Sequence, residues 1–418
     1  METAFGIAGD WATVEALLPS HWREIADKHG VVCAGLPPQL GAKITDLAVP
    51  LRLLLYRVAT NSSLRTAAAA AFAGEVIDIS PVAAHLWERK LGPFVASLVA
   101  SMTGTERQFA AERWAGYDII AVDASAVSRP GAEGTTARVH FALHLQTLRP
   151  VYVEVTDDKG GETFRRYAAA PRELWMGDRA YANPPGIAAV KDDGGEVLVR
   201  YNRGSLPLYD VRGERVNVQA KLDKLHKYGR AREWAAWVRP DKGEPIRGRL
   251  IAVRLPPKQA EEARARLRRE QGKDVTAESL AMAEFVVLFT TVPPDRLTTE
   301  RVLELYGLRW QVELHIKREK SIAGLDKLPN RRADTVYTWI CLKMLLTQLA
   351  RKMTTPSDTA IPPSRHWAPL LSRDAPCGPQ PRGRRPRVSG KADPASGRGA
   401  LARHDVRVAS PLRSAAPC

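Results

Sequence analysis

The segment YGLRWQVELHIKREK places a phenol (Tyr306), a guanidinium (Arg309), a carboxylate (Glu313) and an ammonium (Lys320) at offsets 0, 3, 7 and 14. A helix turns about 100° per residue, so these four side chains fall within an arc of roughly 60°. One carboxylate flanked by cations suits a site that holds a divalent metal and anionic phosphates. The same spacing also describes a solvated helix face laced with i,i+4 pairs. Two upstream segments favour the metal site. In YDIIAVDAS an apolar, β-rich run ends at Asp123, and in ELWMGDRAY another ends at Asp178. Strand ends are where open α/β sheets present ligands, so two strand-end aspartates and a helical glutamate form a coherent three-carboxylate set.

Those residues need a sheet and a covering helix to position them. Residues 1–105 read as helical, with apolar residues at helical spacing and Ser80 followed by Pro81 as a helix start. Within them TAAAAAFAGEV and SPVAAHLWERKLG could form a helix-turn-helix offering His85, Arg89 and Lys90 to DNA. A plain helical bundle fits the same pattern equally well. From Asp118 the pattern changes to strands YDIIAVDAS, ARVHFALHLQT, PVYVEVTD, ELWMGD and EVLVRYN, with helices expected over GETFRRYAAAP and NPPGIAAVKDD. That alternation describes a mixed α/β sheet. Between Asp178 and Glu313 lie 134 residues, more than such a core needs, so a β-rich insertion is expected over 202–283. A final strand EFVVLFTTVP returns to the core, and DTVYTWICLKMLLTQLARKM reads as an amphipathic helix that covers the sheet. Trp234 and Trp237 in the insertion, three apart in a strand-like context, are candidates for stacking on a base but read better as core or sheet-face packing residues.

Composition narrows the partners. Lys and Arg outnumber Asp and Glu 62 to 46 in 418 residues, giving a net charge of +16 and a pI near 9.8. Such a balance is expected of a nucleic-acid-binding protein, although ribosomal or membrane-surface binding would give a similar total. The 44% of hydrophobic residues suffices for sizeable cores. Cys33, Cys341, Cys377 and Cys418 form no CxxC pair, so neither a zinc site nor a disulfide framework is indicated. METAFGIAGDW lacks a basic n-region followed by an apolar core, and WICLKMLLTQLA is interrupted by Lys343 and too short to span a bilayer. A cytoplasmic location follows as the expectation. The last 64 residues, 355–418, hold 11 of the 30 prolines and 11 basic against 4 acidic residues, contributing +7 of the net charge. With sparse apolar residues and no period, this tail is expected to be disordered. It reads either as an out-of-frame replacement for a lost helical region or as a basic arm for DNA.

The residues resemble the DDE transposases of the IS4 group, encoded by bacterial insertion sequences. Their hallmark Tyr-x2-Arg-x3-Glu-x6-Lys is matched without a gap by Tyr306, Arg309, Glu313 and Lys320, and their aspartate segments by VDAS and by GDRAY, where Ala180 replaces the usual Gly. The resemblance runs from about Asp118 to Lys352. It implies a ribonuclease H-like fold, Asp123, Asp178 and Glu313 as catalytic metal ligands, and two Mg²⁺ ions that Mn²⁺ can replace. It also implies DNA contacts from Tyr306, Arg309, Lys320 and the neighbouring Arg179, and base stacking by an aromatic residue at the position of Phe285. The expected organisation is a helical DNA-binding region (1–105), a split core (106–201 and 284–354), the β-rich insertion (202–283) and the basic tail (355–418). The implied activity is metal-dependent cleavage of double-stranded DNA at terminal inverted repeats and strand transfer into target DNA. The enzyme would work as a homodimer in a synaptic complex, associated with the bacterial nucleoid. A defective remnant that only binds DNA is the alternative.

Overall fold

The computed structural model describes residues 7, 9–31, 44–103, 114–321, 323–328 and 333–354. The expected tail and Cys33, Cys377 and Cys418 lie outside them. The chain opens with helices α1 (Trp11–Ala16), α2 (Trp22–Lys28), α3 (Ala48–Thr60), α4 (Leu64–Ala73) and α5 (Pro81–Ser101). The starts of α1, α4 and α5 are encoded by side-chain caps. Ser63 accepts a bond from the Thr66 amide and Ser80 from the Ala83 amide at 3.1 Å, with Pro81 in the first turn, where its missing N–H costs nothing. Helix α5 packs into the helical region along one face. Its Trp87, Leu91, Phe94 and Leu98 are buried in a bundle, leaving Arg89 on the outside.

The strands are β1 (Asp118–Val127), β2 (Ala137–His144), β3 (Arg149–Asp157), β4 (Glu173–Gly177), β5 (Glu196–Arg200), β6 (Ala231–Val238), β7 (Ile246–Arg254) and β8 (Phe285–Thr290). They form one sheet in the order β3-β2-β1-β4-β5-β8-β7-β6. The meander β1-β2-β3 is antiparallel, while β4 and β5 run parallel to β1. The order 3-2-1-4-5 with only β2 reversed among these five is the ribonuclease H-like arrangement. The insertion contributes β6 and β7 to this same sheet, because β8 pairs with β5 on one side and β7 on the other. Helix α7 (Val218–Leu222), the charged helix α8 (Pro257–Gln271) and α9 (Ala277–Ala283) complete that region.

Alternation along the strands divides the core in two. Ile119 and Ala121 of β1, with Leu174 and Met176 of β4, join a cluster that includes the N-terminal helices and the last three helices. Ile120, Val122 and Trp175 face the other cluster, with α6 (Pro184–Asp192) and the insertion residues Leu206 and Leu222. Buried apolar surface on both sides of the strands is the main source of stability here.

Two sequence expectations fail locally. GETFRRYAAAP contains only a 3-10 turn at Phe164–Arg166, which Thr163 caps and which ends where Tyr167 turns extended. Tyr167 is drawn into ring contacts with Tyr152 and Trp175. The four-residue hallmark is also not on one unbroken helix. It spans α10 (Thr299–Gly307) and α11 (Trp310–Ser321), separated by a two-residue turn. Gly307 sits where a helix ends easily, and the backbone there tightens to i→i+3 bonds, with Leu308 N to Leu305 O at 2.9 Å and Arg309 N to Tyr306 O at 3.1 Å. The final helix, α12 (Ala333–Thr354), packs along α5 and α3 with β3 beneath it. Among the described residues no helix is long and apolar enough to cross a membrane.

Candidate active site

Asp123 is in β1, at the level where that strand outruns β4. The two strands pair in parallel from Asp118↔Glu173 to Ala121↔Met176, and extending this register by two residues sets Asp178 beside Asp123. Both aspartates follow the alternation of Ala121 and Met176 onto the face that α11 covers. The backbone fixes each carboxylate: Asp123 Oδ1 accepts from the Ala124 amide at 2.9 Å and Asp178 Oδ1 from the Ala180 amide at 2.8 Å. Ala180 is not among the residues of positive φ, so the exchange of the usual Gly for Ala brings no strain. Gly177, by contrast, is required by a close approach, since a Cβ there would stand 2.7 Å from Cβ of Tyr181.

Helix α11 lies against β1 and β2 and is seated by buried Val312 and Ile316. That orientation sends Glu313 toward the aspartates, and the charges register one another. The Asp123 carboxyl is pushed up to about 7, first by burial and then by the negative charges of Asp178 and Glu313, against the lowering influence of the Ala124 amide and Arg309. Arg309, whose side chain is 17% exposed, donates to Glu313. Its guanidinium carbon stands 5.8 Å from the Tyr306 ring centroid. The phenol of Tyr306 is raised by burial. Lys320 donates to the Ala126 carbonyl at 3.2 Å, three residues beyond Asp123. Five expected site residues therefore share one region with Asp123, and Arg179 adjoins Asp178.

As placed, no three acidic, histidine or cysteine side chains among the described residues stand close enough to share one ion. Glu313 is instead turned onto Arg309. Phe285 is not brought to the site. It is 6% exposed at the start of β8, in the cluster on the opposite face of the sheet, with the Arg254 guanidinium 5.8 Å from its ring. The odd positions of β8 face that cluster, so the ring that the resemblance assigned to base stacking serves as packing.

Two residues near the site went unnoticed in the sequence. Arg200, the last residue of β5, is held down to about 10, mainly by burial and then by the positive charge of Arg179. It is a strand-end residue, so the logic that found the aspartates applies to it. Glu162 is raised by burial and by the charge of Asp178, and Arg138 Nε stands 3.8 Å from its carboxylate. It lies in the stretch read as helix, where no pattern marked it.

A ribonuclease H-like sheet with aspartates on adjacent parallel strands, faced by a helical glutamate among guanidinium groups, defines a class of acidic-centred proteins. Residues 114–349 match the family model described as the transposase DDE domain. The chain is 31% identical over 324 residues to the transposase for insertion sequence element IS421 of Escherichia coli, covering 75% of this chain and 87% of that protein. It is 30% identical over 323 residues to the putative transposase InsL for insertion sequence element IS186A of Escherichia coli strain K12, with the same coverage of each chain. A cryo-EM structure of a piggyBac transposase synaptic complex with hairpin DNA aligns with a TM-score of 0.33 at 7% identity over 58% of this chain and 50% of that one. The chain belongs to the DDE transposase family of insertion sequences.

Proposed function

We propose that this transposase cleaves DNA strands at the ends of its element and joins the freed 3′ ends to target DNA, with Asp123, Asp178 and Glu313 as ligands for divalent metal. The observation that carries this reading is the parallel β1–β4 register, which extended by two residues sets Asp178 beside Asp123 on the face that α11, the helix of Glu313, covers; the carboxyl of Asp123, raised mainly by burial, also feels the charges of Asp178 and Glu313. The donors are all carboxylate oxygens, which suit Mg²⁺ or Mn²⁺ and not a soft metal. When bound, a pair of such ions activates water and stabilises the leaving oxygen of an in-line phosphoryl displacement.

The remaining work falls to the protein. Arg309, with its planar fork, grips a phosphate beside the cleaved bond, assisted by Tyr306, Lys320, Arg179 and Arg200. The Arg309–Glu313 pair holds a partly exposed carboxylate until a phosphate and cations compete for the two partners. Two copies, each engaging one element end, make up the working assembly in the cytoplasm at the nucleoid. The test is nicking of a short duplex carrying the element's terminal repeat in Mn²⁺. Wild-type protein is expected to nick it, while Asp123→Asn, Asp178→Asn and Glu313→Gln bind the duplex without nicking. Metal-dependent nicking retained by purified Asp123→Asn would falsify the assignment.

A further inference from the structure

Helix α11 carries further polar side chains on a different face from Glu313. His315 and Glu319, one turn apart, are 5% and 2% exposed. Both are reached by one residue of α12: Arg351 Nη2 donates to Glu319 Oε1 at 2.8 Å and stands 2.9 Å from His315 Nδ1. A guanidinium can only donate, so His315 Nδ1 is the acceptor. On its other side the His315 ring meets Phe141 edge-on, with centroids 5.2 Å apart. Phe141 is the register partner of Asp123 on the neighbouring strand. A continuous chain of contacts thus runs from α12 through α11 to the strand position opposite Asp123.

The geometry points to Arg351 as a positioning residue that fixes the rotation of α11, and with it the place of the Glu313 carboxylate relative to Asp123. The apolar contacts of Val312 and Ile316 hold the helix down but are not directional, so they leave its rotation soft. Hydrogen bonds from one guanidinium to two residues a turn apart remove that freedom. The stakes are large: a rotation of about 20° moves a group about 5–6 Å from the helix axis by ~2 Å, and a misplacement of ~1 Å can cost about 10²-fold in rate. A buried glutamate facing an arginine is also no efficient source of stability, since an apolar pair of similar size often does as well. Specifying one orientation is the role that accounts for it.

This inference rests on the reading of Asp123, Asp178 and Glu313 as a metal centre, and one titration separates the two. Mn²⁺ binding to the full chain is measured by calorimetry for wild type, Asp123→Asn, Arg351→Ala, Arg351→Lys and Glu319→Gln, with a thermal melt of each. Wild type is expected to bind and Asp123→Asn to lose binding. Arg351→Ala is expected to need about tenfold more Mn²⁺, roughly the effect of disturbing outer-shell support, with Arg351→Lys between it and wild type. Should Arg351→Ala fail to fold, Arg351→Lys and Glu319→Gln decide. If the Arg351 and Glu319 variants melt lower yet bind Mn²⁺ as wild type does, the positioning role is overturned and the metal centre stands. If wild type itself does not bind Mn²⁺, the metal centre fails and the inference falls with it.

Discussion

Arg309 donates to the carboxylate of Glu313 one turn further along, across the start of α11. The bond ties a cation of the hallmark to the acid that α11 supplies to the proposed site. It also explains why the hallmark tolerates a break at Leu308 and Arg309: the pair re-forms across the turn, and Tyr306 still stacks beneath the guanidinium. Arg309→Lys keeps the charge but loses the planar fork. Nicking is expected to fall at least tenfold, about 1.4 kcal/mol, with duplex affinity changed far less. Equal losses in affinity and rate would mean that Arg309 only binds.

The acidic centre is expected to destabilise the metal-free fold. The folded carboxyl of Asp123 rises from its ordinary 3.8 to about 7. The folded state therefore holds a proton that the unfolded chain has lost between those values, and stability falls as pH rises through that window. Asp123→Asn removes this penalty, worth a few kcal/mol at most (roughly 1.4 per pK unit). In chelator the variant should melt above wild type at pH 8 and close to it at pH 4. A stabilisation of equal size at both pH values would show that charge is not the cause.

Lys320→Ala forfeits one exposed bond to the Ala126 carbonyl, so stability should drop by less than about 1 kcal/mol. Its larger effect is expected on DNA. The slope of log affinity against log salt should become shallower by about 1, the signature of one lost phosphate contact. An unchanged slope in the binding titration counts against a phosphate role.

Gly177→Ala places a Cβ 2.7 Å from Cβ of Tyr181, a fully buried side chain next to Asp178. Overpacking of this kind costs about 1–3 kcal/mol. Urea unfolding should show that loss, and nicking should decline because Asp178 is the next residue. A variant of wild-type stability would mean that Tyr181 moves freely, contrary to its packing against Phe164.

The proposed acidic centre was suggested by two apolar runs that each close on an aspartate; β4 does end just before Asp178, but β1 continues past Asp123 to Val127, so Asp123 lies within a strand and only outruns its shorter neighbour. The Ser80–Pro81 start of α5 was legible locally. What escaped was long-range. Nothing within EFVVLFTTVP says that β8 inserts between β5 and β7 and so extends the core sheet into the insertion. The face Phe285 presents depends on that pairing, which is why a stacking role read from its position did not match its burial. The break after Gly307 was missed because one glycine is tolerated within a helical period. Glu162 escaped because a loop residue acquires its meaning only from Asp178, brought near by the fold.

The central claim is that Asp123, Asp178 and Glu313 converge on divalent metal, and titrating Mn²⁺ into the metal-free chain with detection by electron paramagnetic resonance tests it most directly. Saturable loss of the free-ion signal is expected for wild type, with Asp123→Asn, Asp178→Asn and Glu313→Gln each weakening uptake by about tenfold or more. Three folded variants that take up Mn²⁺ as wild type does would contradict it.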